Sequence, residues 1–286
     1  MNWYTPTTMK ELADALAQGG ENSRVIAGGT DYTIKLRQGK ADPDALIYPG
    51  RIPALHEITL TEDSLRIGAM ATMAELSRAL TAVPEFAAIA DAAGSVGSPQ
   101  IRSKATLAGN LCNASPAGDM LPIGKLYDMV LEVLDGSGNL IGIPVSDFLL
   151  GPGKTALQPG QAVTAVRADR TAATGWVSAF HKIGFRSSVS IARIGMGALL
   201  RLDAAGVISE ARLTLGAVAN VPIRVLEAER LMLGKALDRA LLEEVTAVVS
   251  QTVHDNCRPA NRLYKTEAAR GLCADVFAQL QNRIQA

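Results

Sequence analysis

Two short segments of this chain combine residue types suited to holding a phosphate-bearing ligand. The first is Ala27-Gly28-Gly29-Thr30-Asp31. Glycines let the backbone approach a ligand and reach positive φ, so successive N–H groups can converge on an anion. A helix beginning just after them adds a favourable partial charge. Asp31 would repel that anion unless its carboxylate turns toward a hydroxyl or a cation. The second segment, Thr106 to Asp119, supplies a hydroxyl, the permissive Gly109, the amides of Asn110 and Asn113, and the Asp119 carboxylate. That set suits phosphate together with ribityl or ribose hydroxyls. Singly, the first segment reads as an ordinary strand-to-helix turn and the second equally well as a polar Ω-loop. Together they point to a phosphate-bearing cofactor without identifying it.

Other reactive-looking groups lead nowhere. Gly153-Lys154-Thr155 has the end of a P-loop, but Phe148 occupies the position where that motif needs glycine. His254 and Cys257 have metal-ligand spacing without a second pair. His56 and His181 have no nucleophile partner in the pattern, so no hydrolytic triad is read. Three cysteines, Cys112, Cys257 and Cys273, make neither an iron–sulfur ligand set nor a disulfide framework. Charges balance at 28 basic and 28 acidic residues, and aromatics are only 4%, which argues against nucleic acid and an anionic membrane surface. With no signal-peptide pattern and no apolar run of spanning length, the expectation is a soluble cytoplasmic protein.

The elements that must position these residues follow from local pattern. Thr8 and Glu11 have capping-box spacing before a helix through Leu12 and Leu16, and Thr72 to Glu75 repeats it. Arg24 to Ala27 reads as a buried strand, after which Thr30 caps a helix closed by Gly39. Residues 46–48 and 64–69 read as strands, and 84–93 as helix. Residues 95–116 lack periodicity and read as a long functional loop. A hairpin is expected around Asp135 to Asn139, and strands 195–202 and 207–216 around Asp203 to Gly206. Helices are expected over 222–233, 238–253 and 264–284. A change of pattern between 168 and 175 puts a domain boundary near residue 172.

The two glycine segments, in this order and separation, resemble the FAD-binding subunit of the xanthine dehydrogenase and carbon monoxide dehydrogenase family of molybdenum hydroxylases, nearest the bacterial xanthine dehydrogenase type. The family fingerprints are Ala-Gly-Gly-(Thr/His)-(Asp/Ser) and Thr-(Ile/Leu)-Gly-Gly-Asn followed by Ser-Pro-x-x-Asp. Further echoes are Pro99-Gln100-Ile101-Arg102, Gly151-Pro152-Gly153-Lys154-Thr155, Phe180-His181-Lys182-Ile183-Gly184 with Arg186, and Leu215-Gly216-Ala217-Val218 leading to Pro222. One departure is Ala108, where the family usually has glycine.

The resemblance implies an α+β protein: a vanillyl-alcohol-oxidase-type FAD-binding domain over 1–172, with subdomains of about 1–56 and 57–172 and the cofactor between them, then a small α+β C-terminal domain over 173–286. It assigns the backbone of Val25, Ile26, Ala27, Gly28, Gly29, Thr30 and Asp31, with Ala105, Thr106, Gly109 and Asn110, to the FAD diphosphate region. Asp119 would accept hydrogen bonds from flavin-nucleotide hydroxyls. Val96, Gly97 and Val163 would lie beside the isoalloxazine, and Lys182 would approach it; without the resemblance, Lys182 reads as a solvated strand-end lysine. No side chain of this chain is expected to act as acid or base on the organic substrate, and no metal is expected here. The partners implied are a large molybdopterin subunit and a small [2Fe–2S] subunit, in a heterotrimer or a dimer of heterotrimers. Electrons would pass through FAD to NAD⁺ or another acceptor. The substrate implied is a purine such as xanthine, or another N-heteroaromatic. Two rivals are a self-contained FAD-dependent oxidase and a non-catalytic nucleotide-binding assembly protein.

Overall fold

The apolar run at residues 45–47 is buried on both sides, which suits the centre of a parallel sheet. Ala45–Ile47 indeed lies between Asn2–Tyr4 and Ser23–Val25, parallel to both. This computed structural model describes residues 1–171, 173–186 and 189–285, so the boundary expected at residue 172 falls on a position outside the described residues. The chain forms two compact units. One comprises Met1–Leu76, Ser98–Ala114 and Asp128–Thr171; the other comprises Ser77–Gly97, Ser115–Tyr127 and Ala172–Ala286.

In the first unit the helix Met9–Gln18 starts where its capping signal is, with the Thr8 hydroxyl accepting from the Glu11 N–H at 3.1 Å. Its Leu12 and Leu16 join Ile47, Ile52 and Leu55 in a buried cluster. A five-stranded antiparallel sheet accompanies the small parallel one: Ile58–Leu60, Ser64–Gly68, Gln161–Asp169, Val130–Asp135 and Leu140–Pro144, in that spatial order. The expected hairpin is its far edge, and the Asp135 carboxylate holds the turn by accepting from the N–H groups of Ser137 and Asn139. Gly151 to Thr155 makes a two-stranded turn, not the strand-to-helix connection of a P-loop.

The second unit is built on an antiparallel sheet of Trp176–Ile183, Ile194–Leu202, Ile208–Gly216 and Ile223–Arg224. Ile194, Met196, Ala198 and Leu200 alternate into a core with the helices Arg239–Asn256 and Pro259–Gln285. Gly197, between them, and Gly216, on the neighbouring strand, serve a different neighbour. A Cβ at Gly197 would come within 3.0 Å of Leu126, and one at Gly216 within 2.7 Å of Pro122. The missing side chains let the helix Met120–Leu126 lie close on the sheet, where the Thr214 hydroxyl donates to the Pro122 carbonyl at 3.0 Å.

Three expectations need correction. Residues 95–116 are not a loop: Pro99–Arg102 and Leu107–Asn113 are helical, capped by Ser98 and Thr106, whose hydroxyls accept from the N–H groups of Ile101 and Gly109. Both helices are too short to show a period. Thr30 does not cap its helix. Gly29 turns the chain at φ 68°, the helix starts at Tyr32, and the Thr33 hydroxyl donates to the Gly29 carbonyl at 2.6 Å. Finally, the helix expected from residue 222 starts at Leu226, because Ile223–Arg224 pairs with the sheet.

Candidate functional site

In the first unit the two glycine segments come together. A Cβ on Gly28 would lie 1.8 Å from the Lys104 carbonyl oxygen, so the turn packs backbone to backbone against the stretch leading into Thr106. A Cβ on Gly109 would meet Thr106 Oγ1 at 2.9 Å and Ala27 Cβ at 3.9 Å. The fold itself therefore requires glycine at 28 and explains Gly29 by its positive φ. Ile26 uses its N–H on the Ile47 carbonyl at 2.9 Å. Beyond it, among the described residues, the N–H groups of Gly28, Gly29 and Thr30 donate to no protein acceptor. Gly28 to Thr30 are half-buried and Asp31 is exposed. Ala108 is buried at 4% exposure, so its methyl group is covered by the fold, while Gly109 is half-buried.

Val163 is buried in the strand Gln161–Asp169 at a bulge, where the register against Val133 and Glu132 shifts before Ala165. Ala105 is also buried, and its carbonyl accepts from the Met73 N–H at 2.8 Å. Thr106 is 2% exposed; its hydroxyl is committed to the cap and its carbonyl accepts from the Asn110 N–H at 3.0 Å.

The second unit assembles a different kind of site. Asp119 precedes the helix Met120–Leu126 and Lys182 lies near the end of the strand Trp176–Ile183. They form an ion pair at 2.5 Å, with side-chain exposures of 8% and 11%. Lys182 is thus a half-buried, paired cation, not a solvated strand end. Burial pushes the Asp119 carboxyl up to about 6, and the nearby Lys182 opposes this without cancelling it. The Asp119 oxygen not used by Lys182, Oδ1, is buried and accepts no hydrogen bond from the described residues. A buried oxygen without a donor is costly. Val96 ends the helix Ala87–Ser95, and Gly97 follows at φ 47°.

Sequence reasoning missed two features of this unit. A polar hub of Asp91, Tyr127, Ser178 and Arg283 ties together the elements that carry Val96, Asp119 and Lys182. Its members are up to 192 positions apart, so no local pattern could reveal it. A cleft of about 480 Å³ is lined by Arg193, Asn256, Arg258, Asn261 and Lys265. Burial holds the Lys265 ammonium below the usual lysine range; Arg193 and Arg258 push the same way, with Cys257 opposing. The run of basic and amide residues from 256 to 265 was its one visible trace.

This architecture is a vanillyl-alcohol-oxidase-type FAD-binding domain followed by a small α+β C-terminal domain. The profile described as the FAD binding domain in molybdopterin dehydrogenase matches residues 1–168, and that of the CO dehydrogenase flavoprotein C-terminal domain matches residues 178–280. The chain belongs to this family, the FAD-binding subunits of molybdenum hydroxylases, and is an oxidoreductase component. It is 30% identical to the nicotinate dehydrogenase FAD-subunit of Eubacterium barkeri, over 99% of this chain and 97% of that one. It is 34% identical to the xanthine dehydrogenase FAD-binding subunit of Escherichia coli O157:H7, over 85% and 83%. Among solved structures, a chain of CO dehydrogenase from Oligotropha carboxidovorans superposes with a TM-score of 0.86, 24% identity and coverage of 99% and 98%. A chain of quinoline 2-oxidoreductase from Pseudomonas putida 86 gives 0.87, at 20% identity and coverage of 98% and 96%. Among the described residues, no helix is long and apolar enough to cross a membrane.

Proposed function

We propose that this chain holds FAD and relays electrons from [2Fe–2S] clusters on a small partner, themselves reduced at a molybdopterin centre on a large partner. The observation that carries the reading is the unpartnered, buried Oδ1 of Asp119 beside the Lys182 ammonium. An acceptor needing a hydroxyl donor next to a fixed cation fits a flavin nucleotide better than a simple anion. Bound FAD supplies a carrier that takes electrons singly and can release a hydride.

The chain's own residues divide the work. Gly28, Gly29 and Thr30 would offer backbone N–H groups to the diphosphate, with Val25, Ile26, Ala27, Asp31, Ala105, Thr106, Gly109 and Asn110 lining it. The free N–H groups of Gly28 to Thr30 support that role. Asp119 would accept from a ribityl or ribose hydroxyl. Lys182 would favour negative charge on the ring, and Val96, Gly97 and Val163 would give it apolar walls. The cleft around Arg193, Arg258 and Lys265 suits an acceptor bearing phosphate, such as NAD⁺. A heteroaromatic substrate, purine or pyridine, would be hydroxylated on the large partner. We infer a cytoplasmic heterotrimer, or a dimer of heterotrimers, and a functional division of the chain near residue 172.

The deciding experiment is native purification followed by an absorbance spectrum and a subunit census. Flavin and iron–sulfur bands with two co-purifying chains are expected. A colourless single chain, or a lone yellow chain that turns over an organic substrate, would overturn the reading.

A further inference from the structure

Three separate elements carry the second unit's share of the proposed FAD site: the helix ending at Val96, the helix starting after Asp119, and the strand bearing Lys182. Their other parts meet at one polar hub. Arg283, in the last turn of the helix Pro259–Gln285, grips Asp91 with both guanidinium ends, at 2.8 and 2.7 Å. It also donates to the Ser178 carbonyl at 2.6 Å. Asp91 accepts in addition from the Phe180 N–H at 3.1 Å. Trp176–Ile183 is an edge strand of its sheet, so these two side chains satisfy backbone groups that a further strand would otherwise pair.

The remaining members complete the link. The fully buried Ser178 hydroxyl accepts from the Ala88 N–H and donates to the Pro84 carbonyl, both at 2.9 Å. Tyr127, which closes the helix Met120–Leu126, donates its hydroxyl to the Glu85 carbonyl at 2.8 Å. Its phenol pKa is pushed up, chiefly by burial, with Ser178, Arg283, Asp91 and Glu85 close enough to act on it as well. From the hub to Gly97, Asp119 and Lys182 the elements run roughly 9, 12 and 13 Å. No hub side chain is among the residues assigned to the cofactor.

We propose that Arg283 and Asp91 are positioning residues of the flavin site, fixing the Lys182 ammonium and the Asp119 carboxylate relative to the Val96-Gly97 turn. This rests on the FAD reading above. Fork-to-fork pairing fixes direction as well as distance, which a lysine cannot reproduce. Such a pair serves placement, because ordinary stabilisation of this unit already comes from its apolar core.

The test uses the full chain purified with its FAD. Arg283→Lys, Arg283→Gln and the exchange Asp91→Arg/Arg283→Asp are compared for FAD dissociation constant, flavin midpoint potential and melting temperature. Arg224→Gln is the control, since it breaks the Arg224–Glu229 pair elsewhere in the same unit. The expected result is a roughly tenfold weaker FAD affinity and a shifted potential for Arg283→Lys and Arg283→Gln. The exchange should recover part of both, while the control lowers melting temperature only. If Arg283→Gln does not fold, Arg283→Lys decides, because it keeps the charge and loses only the fork. Unchanged affinity and potential in folded variants that merely melt earlier would reduce the hub to a structural clamp. Failure of the FAD reading would look different: the unaltered chain would bind no FAD.

Discussion

The glycine turns of the first unit and the Asp119–Lys182 region of the second are built by opposite routes. The turns work through backbone: the N–H groups of Gly28 to Thr30 donate to none of the described residues, and the neighbours involved lie within a few residues or one close approach. The Asp119–Lys182 region works through side chains drawn from residues 63 positions apart, held by a hub spanning 192. The difference teaches where each half is fragile. A backbone site fails when an atom is added, and a side-chain site fails when a charge or a partner is removed.

The largest effect should come from adding atoms to the turn. Gly28→Val would drive Cβ into the Lys104 carbonyl, and no flexible side chain is there to yield. Overpacking of this kind costs ~1–3 kcal/mol or more, and FAD content should fall to background in the same protein. Denaturant unfolding with flavin quantification checks both. Normal flavin content in this variant would break the comparison, since the turn would then tolerate what its geometry forbids.

Next in size is the titration of Asp119. Its folded value of about 6 lies above the ordinary 3.8, so the FAD-free chain holds the proton more tightly than the unfolded chain does. The resulting stability is fully present below about pH 3.8 and is lost as pH rises through about 6. Its ceiling is on the order of 3 kcal/mol. A ligand hydroxyl favours the ionised form, so FAD affinity should climb over the same window. Unfolding at pH 4.5, 5.5 and 7, with and without FAD, measures it, and Asp119→Asn should flatten both trends.

Lys182→Met sharpens the side-chain half further. It keeps the apolar stem and removes the charge, so the flavin potential should fall. A shift of roughly 30 mV corresponds to about 1.4 kcal/mol for a two-electron couple. Because the variant leaves Asp119 without its cation, that carboxyl should take up a proton and blunt the change. Spectroelectrochemical titration at full occupancy reads the shift, and no shift with an unchanged rate of flavin reduction would return Lys182 to a packing role.

The smallest effect is at the cap. Thr106→Ala removes the hydroxyl that accepts from Gly109 and should cost about 1 kcal/mol, with Thr106→Ser nearly neutral. Thermal melts decide this, and equal losses in both variants would mean that the threonine methyl, not the cap, matters.

Legibility in the sequence followed the same divide. Capping signals three residues apart gave the starts of the helices after Thr8 and Thr72 correctly, and Gly39 does follow its helix with positive φ. The hairpin around Asp135 was equally local. Residues 98–113 misled because two helices of four and seven residues show caps but no periodicity. Ile223–Arg224 was absorbed into an expected helix because two residues carry no alternation. The membership of Asp119 and Lys182 in one site came from family resemblance alone. That they are a part-buried ion pair, and that Arg283 donates to the Ser178 carbonyl on the strand bearing Lys182, depends on tertiary packing.

Gly197 and Gly216 bear on protein engineering. Neither belongs to any ligand assignment, and both would pass as tolerant strand positions in a mutational library. Yet each is a seat for the helix that follows Asp119, with Pro122 and Leu126 resting where side chains would otherwise stand. Alanine at Gly216 adds one methyl group and forces either that helix or the strand to move. Variants selected for a better-packed sheet would therefore drift in cofactor behaviour without any change among the residues proposed to hold it.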